Sequence, residues 1–340
     1  MKLGRTILGA LALIGLPAAA SAQDTPVQLR FSHWVPATHP VQKVAEEWLA
    51  SIAMATGGTV TGAVFPAQQL GRAFDHYDMA RDGIADVAYI NPGYQPGRFP
   101  IAARAELPFQ FVDAKGGSQA FDAWYRAYAA TEMKDVRFCL GYIHDPGAIH
   151  SRTKKVQVPD DIKGMKIRPA GATIANFVTM LGGTNVQGSA PEVRDMLEKG
   201  VTDAVTFPWG SIVLFGADKV TKYHLEMPFY STAQIWVLNK AKYDGMSVAQ
   251  KKAVDDHCTN EWSLKVGGPW AEFEHAGIEK IRAEAGHEVY KVTPEALAQW
   301  RKAAEPLEVK WADDVKKVGG DPAAIAKNLK EQLAKFNAAY

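Results

Sequence analysis

Arg168 ends the run Met165-Lys166-Ile167-Arg168, in which apolar and basic residues alternate, and Pro169 follows it. Such alternation marks a short strand with one buried face. Pro169 removes a ladder donor and biases Arg168 toward extended geometry, so the strand is expected to stop there. A guanidinium at a strand end is a fixed fork that grips a carboxylate through two parallel hydrogen bonds. The plainer alternative is a surface ion pair with a neighbouring acid, which is worth little. Strand ends also hold His33, Trp34 and Asn91, and in parallel α/β sheets ligands sit beyond the carboxyl ends of the strands. Each has an ordinary alternative: His33 capping a turn, Trp34 packed in a core or hinge, Asn91 as a pre-proline turn residue. The stretch His144-Asp145-Pro146-Gly147-Ala148-Ile149-His150-Ser151-Arg152 sets two His, an Asp and an Arg around a Pro-Gly turn. A metal or general-base reading is open to it, but a hydrogen-bonding rim facing a ligand is simpler. A desolvated ion pair is favourable only when its remaining lone pairs are satisfied. Arg152, His150 and Asn91 are the donors expected to do this for a carboxylate on Arg168.

The elements that must position these groups alternate between strand and helix. Strands are expected over 27–32, 60–65 and 87–90. Helices are expected from Pro40, where Val41, Val44, Ala45, Trp48 and Ile52 recur at helical spacing, and over 70–82. This order predicts parallel βαβ units. A helix over 121–133 and a strand over 136–143 follow. Beyond Arg168 the pattern predicts helices over 172–181 and 191–199, a strand at 185–186, and a strand over 204–207. Phe207-Pro208-Trp209-Gly210 closes that strand, and two aromatics beside a Pro turn suit packing as well as ligand contact. A strand over 235–239 precedes a mostly helical stretch over 247–284, which Gly267-Gly268-Pro269 is expected to kink or interrupt. Two amphipathic helices, 294–311 and 322–336, form the tail.

The first 22 residues read as a secretory signal. Lys2 and Arg5 form a positive end, 7–16 an apolar run too short to span a bilayer, and Ala20-Ser21-Ala22 a small-residue cleavage site. The whole chain has 38 basic and 37 acidic residues. Without the signal the basic count is 36 and the net charge −1. That balance argues against a nucleic-acid or membrane-surface partner. No Gly-x-Ser-x-Gly elbow, Walker A loop, His-Glu-x-x-His or dinucleotide Gly-x-Gly-x-x-Gly is present. No enzyme, cofactor or metal is expected. Cys139 and Cys258 are the two cysteines, and an exported chain can bridge them.

The segment Asp161-Ile-Lys-Gly-Met-Lys-Ile-Arg168 resembles the hallmark turn of the solute-binding proteins of TRAP transporters (tripartite ATP-independent periplasmic transporters, DctP type). Supporting matches are Leu29-Arg-Phe-Ser-His-Trp34, His39-Pro40, Gly83-Ile-Ala-Asp86 and Glu192-Val-Arg-Asp-Met-Leu-Glu-Lys-Gly-Val-Thr-Asp203, and the resemblance covers almost the whole mature chain. It implies a two-lobed periplasmic binding protein fold of class α/β. Mixed sheets flanked by helices would be joined by hinge strands and a long helix. The lobes are expected at 23–148 plus 232–271 and at 149–231 plus 272–340. The resemblance makes Arg168 the carboxylate anchor and puts Phe207 and Trp209 at the ligand. It also implies two buried thiols rather than a disulfide, a monomer, and membrane permease subunits as partners.

Two departures narrow the ligand. Sialic-acid binders of this family carry a second Arg roughly where Ala148 stands and an Asn near Phe207, and metal-bridged keto-acid binders carry a Glu-Trp pair in the same region, where this chain lacks the acid. Aromatic groups around one Arg suit a monocarboxylate with an aromatic or apolar body. The alternatives are a keto acid, hydroxy acid or dicarboxylate in the same cleft, or a sensing role beside a signalling receptor.

Overall fold

The computed structural model describes residues 24–340, so the signal expected over 1–22 lies outside the described residues. β1 (Val27–Ser32) buries Leu29 and Phe31 and turns Gln28 and Arg30 outward. The chain then enters α1 (Pro40–Ala55), whose cap is His39: its Nδ1 accepts the Val41 N–H at 3.2 Å. β2 (Val60–Phe65) returns parallel to β1. The helix expected over 70–82 is shorter, α2 (His76–Arg81). Gln68 has φ +64° and its side chain takes the Ala73 N–H at 2.8 Å, so the first turn is 3₁₀ and the α-helix begins late. β3 (Val87–Ile90) is buried along its length. α3 (Ala114–Glu132) starts earlier than expected because Asp113 caps it through Gly116 N–H at 2.9 Å. β4 (Val136–Ile143) ends this half.

The second half contains β5 (Gly147–Ser151), β6 (Lys166–Arg168), α4 (Ala172–Met180) and β7 (Thr184–Asn185). It continues through α5 (Val193–Glu198), β8 (Ala204–Phe207), α6 (Trp209–Leu214) and β9 (Tyr223–Tyr230). β10 (Ala233–Asn239) returns to the first sheet. α7 (Lys240–Asp244), α8 (Val248–Asp255) and α9 (Asn260–Ala283) follow, then β11 (Glu288–Tyr290), α10 (Pro294–Lys317) and α11 (Pro322–Lys335).

The strands form two mixed sheets, β2-β1-β3-β10-β4 and β11-β9-β5-β8-β6-β7. β10 is antiparallel to both neighbours, and β5 is antiparallel to β8 and β9. The chain passes between the sheets at β4–β5 and again at β9–β10, so residues 144–146 and 231–232 are two crossovers side by side. His144 ties them: its Nδ1–H donates to its neighbour Asp145 O at 2.6 Å, and its Nε2 accepts the Thr232 N–H at 3.1 Å.

α9 links both halves. It runs about 36 Å, packs on α1, α3 and β4 at one end and on α6 and β11 at the other, and passes unbroken through Pro269. The expected interruption is absent. Gly267 instead lets the helix approach α3 closely, since a Cβ there would lie 2.2 Å from Ser118 Oγ. Gly277 does the same against α6, where a Cβ would meet Trp209 and Gly210 backbone at 2.4 Å. α11, expected with the second lobe, lies against α3 of the first: Trp124 Nε1–H donates to Ile325 O at 3.1 Å.

The first sheet's core centres on Phe31, Trp48 and Trp236, packed edge to face at 4.8–6.1 Å. Both indoles are fully buried, each contributing roughly 4–6 kcal/mol of transfer free energy. Cys139 and Cys258 form a disulfide, which corrects the expectation of two thiols. The middle of β4 and the turn before α9 converge, their Cα atoms 4.5 Å apart. Among the described residues, no helix is long and apolar enough to cross a membrane.

Candidate functional site

Arg168 lies at the carboxyl end of β6, 1% exposed. Its Nε–H donates to Gly188 O (2.8 Å), Nη1 to Thr206 O (3.3 Å) and Nη2 to Tyr94 Oη (3.2 Å). The Phe207 ring covers the guanidinium at 5.4 Å. Each of these oxygens is neutral, and no carboxylate among the described residues pairs with Arg168. Tyr94 Oη accepts a second time, from Ala190 N–H at 3.0 Å, so its own proton is left to donate elsewhere. This hydroxyl joins the 3₁₀ turn at Pro92–Tyr94, which follows β3 of the first sheet, to the second lobe. Burial raises the Tyr94 phenol above its usual range, which keeps it protonated.

A cavity of about 30 Å³ opens beside the guanidinium. Trp34, His39, Asn91 and Tyr94 line it from the first lobe, Arg168 and Phe207 from the second, and Gln234 and Trp270 from β10 and α9. By the usual measure it holds about two waters, so an organic ligand enters only when the lobes part. A larger cavity of about 70 Å³ near Leu307 and Trp311 also spans the lobes, but its lysine, Lys310, is already paired with Asp314 at 2.8 Å. Of these two cavities, only the smaller offers a cation without a carboxylate partner among the described residues.

The structure brings Arg168, Phe207, Trp34 and Asn91 together. Asn91 Oδ1 caps its own turn through Gly93 N–H at 2.9 Å. The other four candidates lie elsewhere. His33 bonds Gln42 Oε1 at 2.7 Å, off the cavity wall, and burial holds it down to about 4. His150 is inside the second sheet: its Nε2–H donates to Phe207 O (3.0 Å) and its Nδ1 meets His224 Nδ1 (2.8 Å), which continues to His287 (2.9 Å). Burial pushes the His150 imidazole down to about 3, so it is a neutral structural link. Trp209 packs edge-on to His150 at 4.9 Å, away from Arg168. Arg152 follows the far end of β5, beside Gly200. The reason is topological. β5 runs antiparallel to β8, so Ala148 pairs with Phe207 at the cleft edge, while Ser151 pairs with Ala204 at the opposite end.

Residues missed in the sequence include Tyr94, His39, Gln234 and Trp270, whereas His144, part of the stretch read as a ligand-facing rim, does line the cavity. Tyr94 was within reach, since it stands in the same strand-end turn as Asn91. Gln234 and Trp270 arrive from distant segments with no local signal. Two buried carboxyls flank the site. Glu106 accepts from Thr173 Oγ1 (3.2 Å) and Ala233 N–H (3.3 Å), bridging the lobes, and burial pushes it up to about 7. Glu274 on α9 caps α6 through Gly210 N–H (2.5 Å) and Ser211 N–H (3.0 Å), and also accepts from Ser211 Oγ (2.5 Å) and Trp270 Nε1 (2.6 Å). Burial pushes it up to about 7 as well, against the pull of four donors. Among the described residues no group of three His, Cys, Asp or Glu is placed to share a metal ion.

A family model described as bacterial extracellular solute-binding protein, family 7 (DctP) matches residues 31–314. Solved structures share the whole architecture. A TRAP solute-binding protein of an unidentified marine microbe, specific for aromatic acid ligands and co-crystallised with 3-hydroxybenzoate, is 30% identical with TM-score 0.85, over 92% of this chain and 99% of that one. One from Rhodoferax ferrireducens with copurified benzoate is 26% identical, TM-score 0.85, over 92% and 98%. One from Bordetella bronchiseptica with bound (R)- and (S)-mandelate is 28% identical, TM-score 0.85, over 91% and 99%.

Proposed function

We propose that this chain, which belongs to bacterial extracellular solute-binding protein family 7 and is a TRAP transporter solute-binding protein, captures an aromatic monocarboxylate between its lobes. One observation carries the reading: Arg168 is a buried guanidinium with three neutral oxygen partners and no anion among the described residues. A guanidinium keeps its charge, and an uncompensated buried charge is strongly unfavourable. A ligand carboxylate supplies the missing anion, with the free proton of Tyr94 as a further donor. Phe207, Trp34 and Trp270 offer apolar surface for the ring. The aromatic acids bound by structures 26–30% identical support the same class.

In this reading the lobes bend at 144–146 and 231–232, close over the acid, and later deliver it unchanged to membrane permease subunits from the periplasm. The protein acts as a monomer, uses no cofactor, binds no nucleic acid and catalyses no reaction. Thermal-shift and calorimetric titration of the mature chain against small carboxylates tests it. Benzoate-class acids are expected to raise the melting temperature of the wild type and to leave Arg168→Ala unmoved. Equal binding by the variant, or a response confined to dicarboxylates, keto acids or sugar acids, would refute the assignment.

A further inference from the structure

Two buried N–H donors on the first-lobe wall of this cavity lack acceptors. Trp34 Nε1 is buried and unpartnered, and an indole nitrogen can only donate. His39 accepts the Val41 N–H on Nδ1, which fixes its own proton on Nε2, and Nε2 is likewise buried and unpartnered. Burial drives His39 down to about 3, so the ring stays neutral. Neither ring can turn to find a partner. Trp34 stacks on Tyr89 at 5.0 Å and leans on Tyr94 at 5.7 Å, while His39 stands edge-on to Trp270 at 4.9 Å. A third group completes the set: Gln234 bonds Thr232 Oγ1 through one amide atom (2.7 Å) and leaves the other buried and unpartnered. All three residues line the cavity that holds Arg168.

We propose that this wall receives a hydroxyl on the ring of the acid held by Arg168, making the ligand a hydroxylated aromatic monocarboxylate rather than the unsubstituted acid. The inference rests on the aromatic-acid reading of this cavity given above. A hydroxyl has two lone pairs for Trp34 Nε1–H and His39 Nε2–H, and its proton or oxygen suits Gln234 in either orientation of the amide. A second carboxylate would bring another negative charge to a cavity lined by one cation, Arg168. A bare ring would leave buried donors unpaired, at their full desolvation penalty. Sites built around a substrate hydroxyl discriminate strongly against the analogue lacking it.

The test is calorimetry on the mature chain with benzoate and phenylacetate set against their meta- and para-hydroxy derivatives. The best hydroxylated acid is expected to bind ~10- to 100-fold tighter than its parent. Trp34→Phe keeps the stacked ring and removes one donor; His39→Ser keeps a cap acceptor for α1 and takes away the ring that carries the other donor. Either variant is expected to cut the preference to about threefold or less. Parent acids binding as tightly as every hydroxylated one would overturn the hydroxyl assignment and leave the aromatic-acid reading standing, as would an unchanged preference in both variants. Binding of no aromatic acid would overturn both.

Discussion

Arg168 and Glu274 are both charge-bearing groups buried to 1% exposure, yet the chain treats them differently. Glu274 receives four donors from α6 and Trp270, so its two oxygens are satisfied within the molecule. Arg168 receives neutral oxygens that hold the fork in place without neutralising it. The first arrangement locks α9 against the start of α6. The second is a half-built ion pair, and its missing half must come from outside. A buried ionisable group is therefore not a site by virtue of burial; the unfilled part of its coordination makes it one.

The contrast predicts opposite failures. Arg168→Ala should lower affinity for an aromatic acid by about 1,000-fold or more, in line with truncating one partner of a buried charge pair. Folding stability, measured by urea unfolding without ligand, should change by less than about 1 kcal/mol, because an uncompensated charge is also removed. A large loss of stability in that variant would show the guanidinium to be structural. Glu274→Gln should do the reverse and cost about 2–3 kcal/mol of stability, since an amide N–H₂ would face the Trp270 and Ser211 donors. Its affinity should fall by less than about tenfold.

Glu106 sharpens the comparison, because it has only two donors. Its folded carboxyl is raised from 4.5 to about 7, so the folded state binds the proton more tightly than the unfolded chain does. Its effect on stability is therefore most favourable below pH 4.5, is lost as pH rises from there to 7, and is level above. Glu106→Gln, whose amide can donate to Thr173, should flatten that slope and raise stability at pH 8 by about 1–2 kcal/mol relative to pH 5. Unfolding curves at the two pH values decide this. The smallest effect expected is at Phe207→Leu. Losing the ring over the guanidinium should weaken ligand binding about two- to fivefold by calorimetry.

The anchor was legible because its signal is local. Alternation before a proline places Arg168 at a strand end, and the same rule finds Trp34 and Asn91. Strand-end position also offers His33, which lies off the wall. Arg152 and His150, read from the composition of the His144–Arg152 stretch, are misplaced because nothing local reveals that β5 runs antiparallel to β8, which turns its end away from the cleft. Trp209 is displaced by a similar step: as the first residue of α6 it points under the sheet toward His150. At Gly267-Gly268-Pro269 local propensity predicts a kink or an interruption, and the helix is not interrupted, its glycine fitted closely against α3. Glu274, Gln234 and Trp270 gain their meaning from partners far away in sequence, and no spacing could announce them.

The disulfide between Cys139 and Cys258 spans 119 residues, and that span contains β5 to β10 and both crossovers. Seen as a graph, most of the second sheet is a closed covalent ring hung from the first. A protease that nicks either crossover would open the backbone yet release nothing, and the two pieces would travel as one molecule until a reductant is added. The segments most exposed to bending are thus the ones whose breakage the chain is wired to survive.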